Sequence, residues 1–160
     1  MRQMKSKSIF IEKYIEPSEI KVRSNGIIAQ HWFDKYDELH SFMGQPAALW
    51  SCNGEIDSQH WYKKGVCHRN GALPAYISYY PNGQVSNKIW YKKGVRYRDG
   101  DLPAYIDYYS NGQIEKQIWY KKGFWHRDGD LPAKIEYNSK EQIVYQAWYK
   151  NGKFIKSKSY

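Results

Sequence analysis

Cysteine is scarce in this chain, long apolar runs are missing and acidic residues are outnumbered, and each shortage closes off a class of protein. Cys52 and Cys67 are the only cysteines in 160 residues. They are too few and too irregularly placed for the disulfide framework of a small secreted domain or for a CxxC zinc site, so a reducing compartment is the simpler reading. No apolar run approaches the ~18 residues of a membrane helix. The basic opening MRQMKSKSIFIEKYIEPSEI lacks the uninterrupted apolar stretch of a signal peptide. The expectation is a soluble, intracellular protein of the cytoplasm, in a cell or a virus-infected host. The length suits one domain. Leu and Val are few, and the hydrophobic 41% is largely Tyr (16) and Trp (7), with mean hydropathy −0.86. Rings with polar tips suit half-buried sheet faces better than a deep globular interior.

Sixteen acidic residues stand against 25 basic ones, a net charge of +9. Such a balance favours solubility and weak affinity for polyanions. Its distribution is uneven: residues 1–30 carry +3, residues 31–60 carry −4 and residues 61–160 carry +10.

What the chain has in abundance is repetition. Ser58 to Val85, Asn87 to Ile114 and Lys116 to Ile143 align without a gap, and Trp32, Trp61, Trp90, Trp119 and Trp148 follow one another at 29-residue intervals. The last copy, 145–160, is cut short. The copy at 30–59 is divergent: it keeps Trp32, Pro46-Ala47 and Asn53-Gly54, gains one residue before the proline and loses one after it. Further back, Pro17 to Gly26 matches Pro74 to Gly83 in its Pro, Ile and Asn-Gly positions. Asn25-Gly26, Asn53-Gly54, Asn82-Gly83 and Asn111-Gly112 predict type I′ hairpin turns, which need positive φ at both central residues. Around them AYIDYY (104–109) and QIEKQIWY (113–120) have strand composition and period two. The KKG segments at 63–65, 92–94 and 121–123 supply a second turn. Only Asp34 to Phe42 has a helical pattern, with Asp34 as a possible N-cap. The predicted fold is all-β: tandem β-hairpins forming one elongated, twisted antiparallel sheet, with at most one short helix near 34–42. A basic segment, 1–16, precedes a single array over 17–160 of about five copies. Two strands per copy at ~4.8 Å each advance the array by roughly 10 Å.

These units resemble MORN repeats. WYKNGK (148–153), WYKKG (119–123) and YYSNGQ (108–113) stand where that family's aromatic, Asn-Gly and Asp-Gly positions fall. The likeness runs from about Pro17 onward, and the units differ in their 29-residue period and in the longer segment HRDGDLPA. They are most similar to the variant repeats of bacterial antitoxin or immunity-type proteins and of large DNA viruses. The resemblance implies a hairpin array that binds proteins and, in some members, anionic lipids. It implies no catalytic residues and no cofactor.

HRDGDLPA (126–133) opens like the catalytic loop of a protein kinase, but the kinase asparagine that holds magnesium follows the His by seven residues. Ala133, Ala104 and Ala75 occupy that place in the three copies. One copy replaces the His with Tyr97 and another, HRNGALPA, lacks both acids, so the segment reads as a structural strand-entry loop. In it Arg69, Arg98 and Arg127 are expected to pair with Asp99, Asp101, Asp128 or Asp130 of adjacent copies. The candidate partner-binding residues are Trp32, Tyr36, Trp50, Trp61, Trp90 and Trp119, as an aromatic sheet face beside the acidic, divergent 30–59 segment. The candidate anion-binding residues are Lys63, Lys64, Lys92, Lys93, Lys121 and Lys122 with Arg69, Arg98 and Arg127, a stripe able to follow the phosphates of a nucleotide, nucleic acid or anionic membrane. His31 and His60, expected to face each other, with His40 and Asp37 form the only set from which an enzyme site could be assembled. No metal motif is present, and the cysteines read as small apolar residues. The leading expectation is a non-enzymatic protein-interaction module of scaffold, inhibitor or antitoxin type.

Overall fold

A computed structural model describes residues 16–23 and 26–160, all of them strand, turn or loop with no helix. The basic segment 1–16 and Asn25 lie almost wholly outside those residues. The strands are β1 (Glu19–Val22), β2 (Ile27–His31), β3 (Ala48–Cys52), β4 (Glu55–His60), β5 (Tyr62–Lys63), β6 (Val66–Cys67), β7 (Tyr76–Tyr79), β8 (Val85–Ile89), β9 (Tyr91–Lys92), β10 (Val95–Arg96), β11 (Tyr105–Tyr108), β12 (Ile114–Ile118), β13 (Tyr120–Lys121), β14 (Phe124–Trp125), β15 (Lys134–Tyr137), β16 (Ile143–Lys150) and β17 (Lys153–Ser159). Eleven of them make one antiparallel sheet in strict chain order, β1-β2-β3-β4-β7-β8-β11-β12-β15-β16-β17. The other six are small hairpins, β5-β6, β9-β10 and β13-β14, one per copy. A bulge recurs in every long hairpin but β1-β2, at Trp50/Ser51, Ser78/Tyr79, Asp107/Tyr108, Glu136/Tyr137 and Trp148/Tyr149.

Two kinds of turn close the hairpins, and loop length decides between them. Asn53-Gly54, Lys64-Gly65, Lys93-Gly94, Lys122-Gly123 and Asn151-Gly152 each have φ near +50° followed by a positive-φ glycine, the two-residue I′ geometry. At Asn82-Gly83 and Asn111-Gly112 only the glycine is left-handed. There Tyr80 N–H donates to Gln84 O and Gly83 N–H to Tyr80 O, a three-residue loop with the glycine in its bulge position. The I′ expectation is therefore corrected at these two turns. The stretch expected as a helix turn is a tight chain reversal: Phe33 bridges Leu39, and the Asp34 carboxylate accepts the N–H groups of Tyr36 and Glu38.

The core is thin and built from the smallest and largest apolar side chains. Ala47, Ala48, Ala75, Ala104, Ala133 and Ala147 are fully buried, with Trp32, Trp61, Trp90 and Trp119 only 4–6% exposed. Each alanine lets a Trp ring lie close to the backbone; Trp90, Ala104, Ile106, Ile118 and Tyr120 form one such cluster. Copies are also tied by Tyr80 and Tyr109, whose hydroxyls donate to the carbonyls of Tyr108 and Tyr137 at 2.6 and 2.8 Å. The final strand, β17, pairs along β16 and leaves its own outer side open.

Candidate functional site: the clefts between copies

The HRDGDLPA loops gather the chemistry of this chain at the boundaries between copies. Four of the 29-residue-spaced Trp side chains donate their indole N–H to a loop carbonyl of the preceding copy: Trp61 to Gly44 at 2.9 Å, Trp90 to Ala72 at 2.8 Å, Trp119 to Asp101 at 3.0 Å and Trp148 to Asp130 at 3.0 Å. The outer ring face is then covered by an Arg of its own copy. Arg69, Arg98 and Arg127 lie 3.6, 3.8 and 4.0 Å from the ring centres of Trp61, Trp90 and Trp119. Lys156 does the same for Trp148 at 4.9 Å. A cation over a Trp ring is worth ~0.5–2 kcal/mol, and the hydrogen bond about 1 kcal/mol more.

The rings of Trp32, Trp61, Trp90 and Trp119 are therefore inside the fold and not on a binding face: each directly follows a long strand and is buried there, and for three of them an Arg lies over the ring. Tyr36 is the exception at 67% exposed, while Trp50 is half-buried between His31 and His60. The two histidines flank Trp50 and do not face each other, because β3 separates β2 from β4. His60 also meets the edge of Tyr76, and this burial lowers its pKa to about 4. His31 bonds Glu19. His40, His68 and His126 each accept a backbone N–H on Nδ1, from Lys64, Lys93 and Asn151. Nε2 of His68 and His126 then bears the proton and donates to Asn70 and Asp128. Burial pushes the Cys67 thiol up to about 11, which keeps it protonated and a poor nucleophile. Asp37 takes a left-handed turn position with φ 61°, and the carboxylate near His40 is that of Asp34, at 3.7 Å. No group of three or more His, Cys, Asp or Glu converges among the described residues.

The basic stripe separates into three parts. Lys92 and Lys121 bind the carboxylates of Asp99 and Asp128 at 3.5 and 2.8 Å, whereas Lys63, whose copy has Asn70 in place of that acid, has no ion-pair partner among the described residues. Lys64, Lys93 and Lys122 occupy the left-handed turn position at φ 52°, exposed and without ion pairs among the described residues. Of the expected Arg–Asp pairs, one forms: Arg127 closes on Asp101 with Nη2 at 2.9 Å and Nε at 3.2 Å. Arg69 and Arg98 donate instead to the carbonyls of Pro74 and Pro103.

Clefts of about 330, 290 and 180 Å³ open at the three successive boundaries. Leu73 lines the first two and Leu102 the third, 53 and 45% exposed, and Leu131 holds the equivalent position in the next copy, 46% exposed. Sequence reasoning passed over these leucines, although their 29-residue spacing was open to view. It also passed over Arg96, which sits where the neighbouring copies carry Cys67 and Trp125. Arg96 donates to the hydroxyls of Tyr91 and Tyr120 at 3.3 and 2.9 Å and faces the Tyr105 ring. Tyr105 holds its proton more tightly than usual because it is buried and beside Asp107.

No protein-family model matches the chain, and no curated protein matches it. Among the described residues no helix is long and apolar enough to cross a membrane.

Proposed function

We propose that this chain is a non-enzymatic protein-binding module, of the scaffold, inhibitor or antitoxin kind that its MORN-like resemblance implies, and that a partner segment lies along the row of clefts. The observation that carries this reading is the row of exposed leucines, Leu73, Leu102 and Leu131, at equivalent positions of three copies, the first two lining the clefts. A monomer gains nothing by holding three large apolar side chains in water at fixed intervals, and such a row is a docking surface when a partner covers it. The divergent copy adds Tyr36 and Met43, 67 and 73% exposed, in the acidic stretch that distinguishes it from the other copies. The exposed Lys64, Lys93 and Lys122 favour a second reading, an anion binder, in which affinity falls steeply with added salt.

The test is capture from the native host with wild-type protein and with the triple variant Leu73→Glu, Leu102→Glu, Leu131→Glu. All three positions are on the surface, so the variant keeps its fold, which the melting temperature checks. A partner recovered by the wild type and lost by the variant is expected; equal recovery by a folded variant removes the leucine row from the interface. Retention by Tyr36→Ser would separate the divergent copy from it in the same way. Binding that collapses between low and high salt but ignores the leucine changes would favour the anion reading.

A further inference from the structure

Two of the three boundary clefts lack a carboxylate that the third contains. In the third, the guanidinium fork of Arg127 holds the Asp101 carboxylate through Nε and Nη2 at 2.9 to 3.2 Å. One copy earlier, the fork belongs to Arg98 and the position of Asp101 is taken by Ala72. The correspondence is structural as well as sequential, because the carbonyls of Ala72 and Asp101 receive the same indole hydrogen bond, from Trp90 and Trp119. With no acid opposite, Arg98 Nε is buried and has no hydrogen-bond partner. One copy earlier still, Gly44 takes this place opposite Arg69, with open space where a side chain would stand. Cleft volume falls in that order, about 330, 290 and 180 Å³ as the residue goes from Gly44 to Ala72 to Asp101. A buried N–H of a charged group left unpaired is costly, and an anion brought to it recovers that cost.

The geometry points to the cleft between Ala72 and Arg98 as a binding site for a carboxylate, gripped by the Arg98 fork as Arg127 grips Asp101. The planar two-pronged fork matches a carboxylate in two parallel hydrogen bonds. Lys92 and Tyr97 stand at the rim, and Asp99, which also lines the cleft, is already engaged by both, at 3.5 and 2.9 Å. Burial draws the Arg98 pKa down, the direction expected of a guanidinium without a counter-ion. Leu73 lines the same cleft, so an Asp or Glu next to an apolar residue in a partner segment would fill both. That source for the carboxylate rests on the protein-binding reading; the site itself does not.

The experiment follows the Arg98 Nε–Hε NMR signal at low salt while three probes are titrated: acetate, a blocked Leu-Asp peptide and inorganic phosphate. Saturable movement with acetate and tighter binding of the peptide are expected. Ala72→Asp supplies an internal carboxylate, and Asp, unlike Ala, readily takes the left-handed backbone that Asp101 shows at φ 46°. In that variant the signal should already be displaced, the melting temperature should rise, and peptide affinity should fall by about tenfold or more. An Arg98 signal unmoved by acetate and peptide, or moved equally in wild type and Ala72→Asp, overturns the proposal. Phosphate binding tighter than either carboxylate overturns the ligand class. If the titration succeeds while the triple leucine variant still captures its partner, the carboxylate site stands and the leucine-row reading falls.

Discussion

His60 is the residue at which burial and charge conflict most directly. Packed on Trp50 and Tyr76, it is held neutral, with its pKa lowered from 6.5 to about 4 by loss of water. The unfolded chain therefore takes up a proton below about pH 6.5 that the folded chain refuses until about pH 4. The stability that neutral His60 allows is complete above that window and is lost as the pH falls through it. Discounted for partial exposure, the loss at pH 5 is roughly 1 kcal/mol. Thermal melts of wild type and His60→Phe between pH 7.5 and 5 check this: the wild type should lose more stability than the variant, and parallel slopes would contradict it. His126 works differently. Its Nδ1 accepts Asn151 N–H and its Nε2 meets Asp128 at 2.9 Å, so both ring nitrogens are engaged in holding one copy to the next. The kinase-like spelling of this motif is thus the outcome of turn and splice requirements.

The elements of this molecule are hairpins, and the backbone at their tips sets what can be changed. Gly94 has φ +79°, and a side-chain carbon placed there would stand 3.0 Å from Val66 Cγ1 of the preceding copy. Gly94→Ala should cost more than about 1 kcal/mol, from left-handed strain together with the contact. At the preceding position Lys93→Asn should instead stabilise by about 0.5 kcal/mol, because Asn tolerates φ 52° better than Lys. Urea denaturation of the two variants measures both, and the same sign for both would overturn the argument. Strand positions and the 29-residue period were legible in the sequence because Trp, Asn-Gly and Ile recur visibly. The turn type was not, since Asn-Gly serves a two-residue loop at 53–54 and a three-residue loop at 82–83 alike. The helical look of 34–42 gave way because Asp34 caps a turn as well as it would cap a helix. In the clefts, the substitution of Ala72 for Asp101 could be read from the sequence. Its consequence could not, because which acid each Arg meets depends on the indole bonds that position the loops.

For the whole molecule, the strict chain order of the sheet makes stability close to one-dimensional, each copy leaning only on its neighbours. Its two edges are β1 and β17. Among the described residues no strand pairs with the outer side of β17, which carries Lys153, Lys156 and Lys158, the kind of charged edge that discourages strand-to-strand association. This strand pairs along the length of β16, as far as Tyr145↔Ser159.

The same chain order has a mechanical meaning. A force applied between the two ends meets the hydrogen-bonded ladders a rung at a time, so the sheet should open like a zipper and not shear as a block. Each 29-residue copy would release roughly 100 Å of contour length. A single-molecule pulling trace should show low, evenly spaced steps of that size, and one tall rupture would be at odds with it. A partner lying across several clefts would clamp neighbouring copies together and merge their steps, so force spectroscopy could count how many copies a ligand spans.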